Sequence, residues 1–420
     1  MLPAIPAAAG VGLAAILWGA AARWPTPVPL VELANTERAR ATLLDAASRL
    51  GVFRIRAAPY VSDADVEVAL AESFELFTAP SDAEKRAWPV VRFPPIGGMP
   101  APIARGYIPF GGESGVGGAF LEVKEGFAYS HDSGCGRREG EAGEGGDGAP
   151  QRVGALLEFC NAWPDGRERF RHAASRLLDG SHRAARHVAR QLAAALDAGA
   201  SGDAVEASLE AGLASSVMRL FHYHSRHHCR ETNRTECAAR ASLAQIGSSP
   251  HTDWHALTVI AEGRHGAAVR RWFDTPTGLQ FRARGSTRWR TARATRGELL
   301  VVVGDLLALS SRGRLHSPVH RVLLPAERGA TRTSFTLFAY PRGEDTIGSW
   351  VRMLSPGAAA AELVDAARAA ARGAAWNTLL AQSGADARAE EPFARILMRK
   401  WVGVSTAGHP PEPPGPAVLT

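Results

Sequence analysis

Ser317-Pro318-Val319-His320-Arg321-Val322-Leu323-Leu324, followed by Arg332-Thr333-Ser334-Phe335-Thr336-Leu337-Phe338-Ala339-Tyr340, sets the architecture of this chain. Each run is short, bounded by turns and rich in the β-branched and aromatic residues that suit a pleated, half-buried surface. The same texture recurs upstream at Val217 to Tyr223, Thr258 to Ala261, Gly278 to Arg282, Glu298 to Val303 and Leu306 to Ser310. Many short, closely spaced strands predict a β-sandwich or barrel.

The flanks read as helical. Val28 to Leu33 is a strand-like run after Pro25 and Pro27, and Glu37 to Leu50 is an amphipathic helix that Gly51 stops. Val52 to Arg56 alternates as a strand does, Ser62 opens a helix to about Phe77, and Ser81-x-x-Glu84 is a capping box for a third. Arg167 to Ala198 is helical with an interruption expected at Gly180, and helices return over 358–385 and 392–401. Residues 133–150 are Gly- and Glu-rich and read as a surface loop. The chain divides into a hydrophobic extension (1–27), a helical and strand region (28–210), a β core (211–345), C-terminal helices (346–405) and a Pro-rich tail (406–420).

At 420 residues the chain can bury a full core, and 45% hydrophobic with 21% charged content is ordinary for a globular protein. The net charge of +6 raises the question of nucleic acid, but the basic residues are scattered, and lysine occurs only at Lys85, Lys124 and Lys400. No nucleic-acid partner is expected. Cys135, Cys160, Cys229 and Cys237 lack C-x-x-C spacing and are expected to be reduced thiols in the cytoplasm. A small zinc site in the His/Cys-rich stretch 222–237 is the lesser reading. Leu2 to Ala22 carries no charge, so anchoring to a membrane or targeting to an organelle through this segment is the alternative localisation.

The chemistry resides in the β core. In a strand, His251 and Asp253 of Pro250-His251-Thr252-Asp253-Trp254 point the same way, so the pair can clasp one metal ion. His320 lies on another strand and suits a third ligand. Neutral imidazoles with a carboxylate favour Fe(II), Mn(II) or Zn(II), and a two-His, one-carboxylate set with open positions points to non-haem iron that reacts with O2. Arg332 and Ser334 share a strand face, where a guanidinium and a hydroxyl can hold a carboxylate. A dicarboxylate spanning metal and Arg332, such as 2-oxoglutarate, fits that arrangement.

These pieces occur in an order that resembles the 2-oxoglutarate/Fe(II)-dependent dioxygenases of the isopenicillin N synthase-like group. The resemblance runs from about residue 28 to about 345. It includes Val28 to Leu33, Gly51 to Ile55, Arg105-Gly106-Tyr107, Lys124-Glu125 and Asn161-Ala162-Trp163-Pro164. In the core it adds His251-Thr252-Asp253, Gly278-Leu279-Gln280, Gly304-Asp305, His320-Arg321-Val322 and Arg332-Thr333-Ser334. It implies a mainly β fold with flanking helices, built on a double-stranded β-helix (jelly-roll) core. It also implies iron ligands at His251, Asp253 and His320, 2-oxoglutarate on Arg332, Ser334 and Tyr223, and no catalytic residue beyond the metal ligands. The implied activity is oxidation of a small-molecule metabolite by a monomer, with O2 and 2-oxoglutarate consumed and succinate and CO2 released, in secondary metabolism. Alternatives are an Fe(II) oxidase of the same fold that does not use 2-oxoglutarate, and a non-catalytic sensor.

Several residues carry plainer readings. His224 follows Tyr223 where the family commonly has proline, and Tyr223 reads almost equally well as a core aromatic. His255 is expected to face solvent at a strand end rather than line the pocket. His316 is read as a bystander, and Trp254 as packing.

Overall fold

Glu298-Leu299-Leu300-Val301-Val302-Val303 is buried along its whole length, which requires cover on both faces of its sheet. The computed structural model describes residues 28–93, 102–112, 119–132, 153–196, 201–265, 278–372, 378–381 and 386–406, and both covers are present. Leu299, Val301 and Val303 pack into the core shared with helices, while Leu300 and Val302 face a second sheet.

The elements, in chain order, begin with α1 (Glu37–Arg49), β1 (Val52–Arg56), α2 (Asp63–Thr78), α3 (Asp82–Arg86), β2 (Val90–Arg92) and β3 (Ile103–Ile108). Next come β4 (Phe120–Glu122), β5 (Lys124–Tyr129), α4 (Glu168–Ala195), α5 (Gly202–Ala211), β6 (Val217–Tyr223), α6 (His228–Glu231) and α7 (Thr235–Ala239). The core continues with β7 (Ala244–Ile246), β8 (Ser248–His251), β9 (Leu257–His265), β10 (Leu279–Arg282), β11 (Trp289–Thr291) and β12 (Glu298–Val303). It closes with α8 (Asp305–Ser310), β13 (His320–Val322), β14 (Thr331–Ala339), α9 (Ile347–Leu354), α10 (Ala360–Ala371) and α11 (Phe393–Thr406).

The larger sheet has the order β1-β12-β9-β14-β6-β5-β3-β2, the smaller β11-β10-β13-β8, and β4 pairs with β7. Phe221, Ile260 and Leu300 of the first sheet meet Leu279, Phe281 and Val322 of the second. Two antiparallel sheets face to face, with helices against the outer face of the larger, make a jelly-roll. Strand alternation does the sorting: on β14, Phe335 and Leu337 go to the helical core, while Arg332, Ser334 and Thr336 face the cavity between the sheets.

Helix α4 is the main outer support. Phe170, Leu177, Leu178, Val188 and Leu192 are buried, with alanines between them that let neighbouring elements come close. The interruption expected at Gly180 does not occur; the helix runs through it. A Cβ there would lie 2.4 Å from Val61 Cγ2 and 2.5 Å from the Tyr60 carbonyl oxygen, so the glycine serves close approach rather than a break. Gly180→Ala should therefore destabilise the protein by about 1–3 kcal/mol through overpacking, outweighing the roughly 1 kcal/mol of helix propensity alanine gains. Calorimetry showing an unchanged or raised melting temperature would refute that.

Other expectations change as well. Val28 to Leu33 forms a single parallel bridge, Leu30 with Arg54, not a strand. Leu306 to Ser310 belongs to α8; its leucines and alanine favour a helix, and Asp305 sits favourably in its first turn. Helix α10 ends at Ala371, short of the expected 385. Cys135 lies outside the described residues. Among the described residues the cysteines are not free thiols: Cys229 and Cys237 form a disulfide, and Cys160 is also disulfide-bonded. That removes the thiolates a zinc site in 222–237 would use. Segments 2–22, 133–150 and 407–420 lie outside the described residues. Among those described, no helix is long and apolar enough to cross a membrane.

Two buried histidines make the fold acid-labile. Burial, with Arg186 nearby, pulls His182 down to about 4, and burial, with His224 beside it, pulls His222 down to about 3. Both folded values lie below the unfolded value near 6.5, so the unfolded chain binds the extra proton first. Stability is then complete above about pH 6.5 and falls by up to about 1.4 kcal/mol per pH unit for each histidine as pH drops toward 4. Urea midpoints at pH 7, 6 and 5 should decline; a flat series excludes the effect.

Candidate metal centre

The last residue of β8 and the first of β13 are His251 and His320, and they are direct cross-strand partners with ring centroids 4.3 Å apart. Each ring is oriented by the backbone two residues earlier. His251 Nδ1–H donates to the Ser249 carbonyl at 2.7 Å, and His320 Nδ1–H to that of Pro318 at 3.1 Å. A carbonyl only accepts, so Nδ1 carries the proton and both Nε2 atoms keep their lone pairs.

Asp253 reaches the same point by a different route from strand alternation, because β8 stops at His251. The 252–256 segment is instead pinned to the start of α8: Asp305 N–H donates to the Asp253 carbonyl at 2.7 Å and Gly304 N–H to that of Ala256 at 2.9 Å. Thr252 Oγ1–H donates to Asp305 Oδ2 at 2.8 Å. The Asp253 carboxylate then lies 3.7 Å from both His251 Nε2 and His320 Nε2. Its Oδ2 accepts the Thr258 hydroxyl.

The ligand atoms of His251, Asp253 and His320 all lie within 4.8 Å of one another, and among the described residues no other such group occurs. Burial, with His320 alongside, lowers His251 to about 4. Burial alone would raise Asp253, but His320, His255 and His251 facing it hold its carboxyl below the ordinary value. A neutral imidazole paired with an ionised carboxylate is what a divalent ion requires of its ligands, so this donor set fits a metal.

Arg332 and Ser334 face the same cavity from β14, and Tyr223 faces it from the neighbouring β6. The guanidinium stacks 4.6 Å above the Tyr223 ring, and Nη1 lies 3.5 Å from Ser334 Oγ. Arg332 is fully buried, which rules out a surface ion pair. It also has a partner the sequence reading did not anticipate: Nε and Nη2 donate to Glu262 Oε2 on β9. Burial would lower Arg332, but Glu262 and then Tyr223 hold it above its ordinary value.

His255 does not face solvent. It is buried, its ring stacks on Phe338 at 4.7 Å, and its Nε2 lies 3.9 Å from Asp253 Oδ1. Trp254 both packs and lines the cavity, while His316 bonds the Arg282 carbonyl. Reading β9 as ending at Ala261 hid Glu262, while Thr258, inside that run, was given no role. Continued alternation to His265 would have put both on the inner face. Lys124 and Glu122, an ion pair at 2.7 Å, also line the cavity, and their i, i+2 spacing is the signal that could have found them.

Residues 214–341 match the model of the 2OG-Fe(II) oxygenase superfamily. Gibberellin 3-beta-dioxygenase 1 of Oryza sativa subsp. japonica is 29% identical over 203 residues, 47% of this chain and 46% of that protein. The chain thus aligns with less than half the length of that relative. A full-length Neurospora crassa protein, solved in complex with alpha-KG, superposes with a TM-score of 0.57 at 16% identity over 89% of this chain and 95% of that one. JOX2, solved with 2OG, Fe and JA, gives 0.52 at 18% identity over 76% and 77%.

Proposed function

The core of this chain, residues 214–341, belongs to the 2OG-Fe(II) oxygenase superfamily, and we propose that the protein is an Fe(II)- and 2-oxoglutarate-dependent dioxygenase acting on a small-molecule metabolite. The observation that carries this is the meeting of a His251, Asp253, His320 donor set and a buried Arg332 in one cavity. In this reading those three residues hold the metal by Nε2, Nε2 and a carboxylate oxygen. Arg332, Ser334 and Tyr223 hold the far carboxylate of 2-oxoglutarate. When bound, iron with 2-oxoglutarate supplies O2 activation, releasing succinate and CO2.

The chain's own contribution is orientation and exclusion of water. Ser249 and Pro318 carbonyls fix the two rings, and Thr258 fixes Asp253. Phe221, Trp254, Phe338 and Trp401 supply an apolar wall on which a carbon skeleton can lie. One observation favours an Fe(II) oxidase of the same fold that does not use 2-oxoglutarate: Glu262 already occupies one edge of Arg332.

The test is anaerobic titration of the Fe(II)-loaded protein with 2-oxoglutarate, following the weak visible charge-transfer band of the chelate. A saturable band, with O2 uptake dependent on 2-oxoglutarate, is the expected result. Iron binding without a band transfers the reading to the oxidase, and no iron binding to a non-catalytic protein.

A further inference from the structure

We propose that Glu262 is a built-in counter-carboxylate at the anion end of the cavity, one that weakens and tunes the grip of Arg332 on the distal carboxylate of an incoming 2-oxo dicarboxylic acid. This rests on the function proposed above. Glu262 lies on β9 directly beside Ser334 of β14, and its side chain is 1% exposed. One oxygen, Oε2, accepts from Arg332 Nε at 3.1 Å and from Nη2 at 2.5 Å. The other, Oε1, is buried and has no hydrogen-bond partner among the described residues. Arg332 and Ser334 line the cavity and Glu262 does not; it stands behind the guanidinium.

The guanidinium is thereby divided. Its Nε/Nη2 edge, the side-on fork that would grip a carboxylate bidentately, is committed to Glu262. Nη1, 3.5 Å from Ser334 Oγ, remains on the cavity side. The neighbouring cation is balanced in the same manner: Lys124, the cross-strand partner of Tyr223, bonds Glu122 at 2.7 Å. An acid entering this end therefore meets a charge that is already compensated. Its hold there depends on Nη1 and the Ser334 and Tyr223 hydroxyls rather than on an unopposed positive charge. Release of a shorter dicarboxylate product is eased by the same arrangement.

The proposal is tested on full-length protein loaded with Mn(II), by calorimetric titration with 2-oxoglutarate and with 2-oxovalerate, which lacks the distal carboxylate. Glu262→Gln keeps an acceptor for Arg332 but removes the charge. It should tighten 2-oxoglutarate on the order of ten- to a hundredfold and leave 2-oxovalerate unchanged. Glu262→Asp, which withdraws the carboxylate from the guanidinium, should tighten 2-oxoglutarate less, and it decides the matter if Glu262→Gln does not fold. Unchanged or weaker 2-oxoglutarate binding in the folded variant, against a wild type that binds it, overturns the proposal and leaves the function standing. Equal tightening of both acids also overturns it. If neither wild type nor variant binds 2-oxoglutarate while Mn(II) binds, the functional reading falls and this inference with it.

Discussion

Asp253→Ala is expected to abolish retention of Fe(II) and bring 2-oxoglutarate turnover to background. The carboxylate is the only anionic member of the donor set, and it faces His251 and His320 at 3.7 Å each. Without it, the pocket offers neutral imidazoles and no charge to offset a divalent ion. Loss of an outer partner of a metal ligand costs about 10- to 100-fold, and loss of a ligand should exceed that. The fold should survive, because Asp305 donates to the Asp253 backbone carbonyl, which alanine retains. Iron content after anaerobic reconstitution and succinate release measure the first effect, and the thermal midpoint checks the second. A variant that holds iron and turns over normally would displace Asp253 from the site.

Arg332→Met acts on stability as well as on binding. It removes the guanidinium from a fully buried pair and strands the Glu262 carboxylate without a counter-ion, a change that typically costs about 3–5 kcal/mol. Under the function proposed above, 2-oxoglutarate binding should be lost at the same time. The double variant Arg332→Met with Glu262→Gln should recover much of the stability and none of the binding. Urea midpoints together with the charge-transfer titration separate these two consequences. If the single variant is as stable as wild type, the pair is not the buried ion pair described above.

The site was more legible in the sequence than its supports. His251, Asp253 and His320 stand out because their residue types are rare in apolar runs, and the structure brings the three together. Strand alternation also placed Arg332 and Ser334 on one face. The same rule misjudged Asp253, whose position comes from the start of α8 and not from β8. His255 was misread for a related reason: nothing in Trp254-His255-Ala256 shows that the chain turns inward there. Glu262 was missed because an interior glutamate resembles an exposed one until its partner, distant in sequence, is known. Strands β3 and β5 and helices α5 and α9 escaped notice because tertiary cover, not local pattern, makes them regular. The Cys229–Cys237 bond was likewise invisible, since spacing does not report the conformation of the intervening loop.

Trp401 sits on α11, well outside the matched segment 214–341, yet it helps wall the cavity and donates through Nε1 to Tyr340 Oη at 3.0 Å. Its neighbour Lys400 is anchored to the Thr378 and Ala381 carbonyls and lies 4.7 Å from the Trp254 ring centroid. The His251, Asp253, His320 donor set and part of the cavity wall thus travel on separate stretches of the chain. Grafting 214–341 into another scaffold would carry the three candidate donors and Arg332 but leave the Trp401 side open. Exchanging the C-terminal helix would reshape the cavity without touching the donor set.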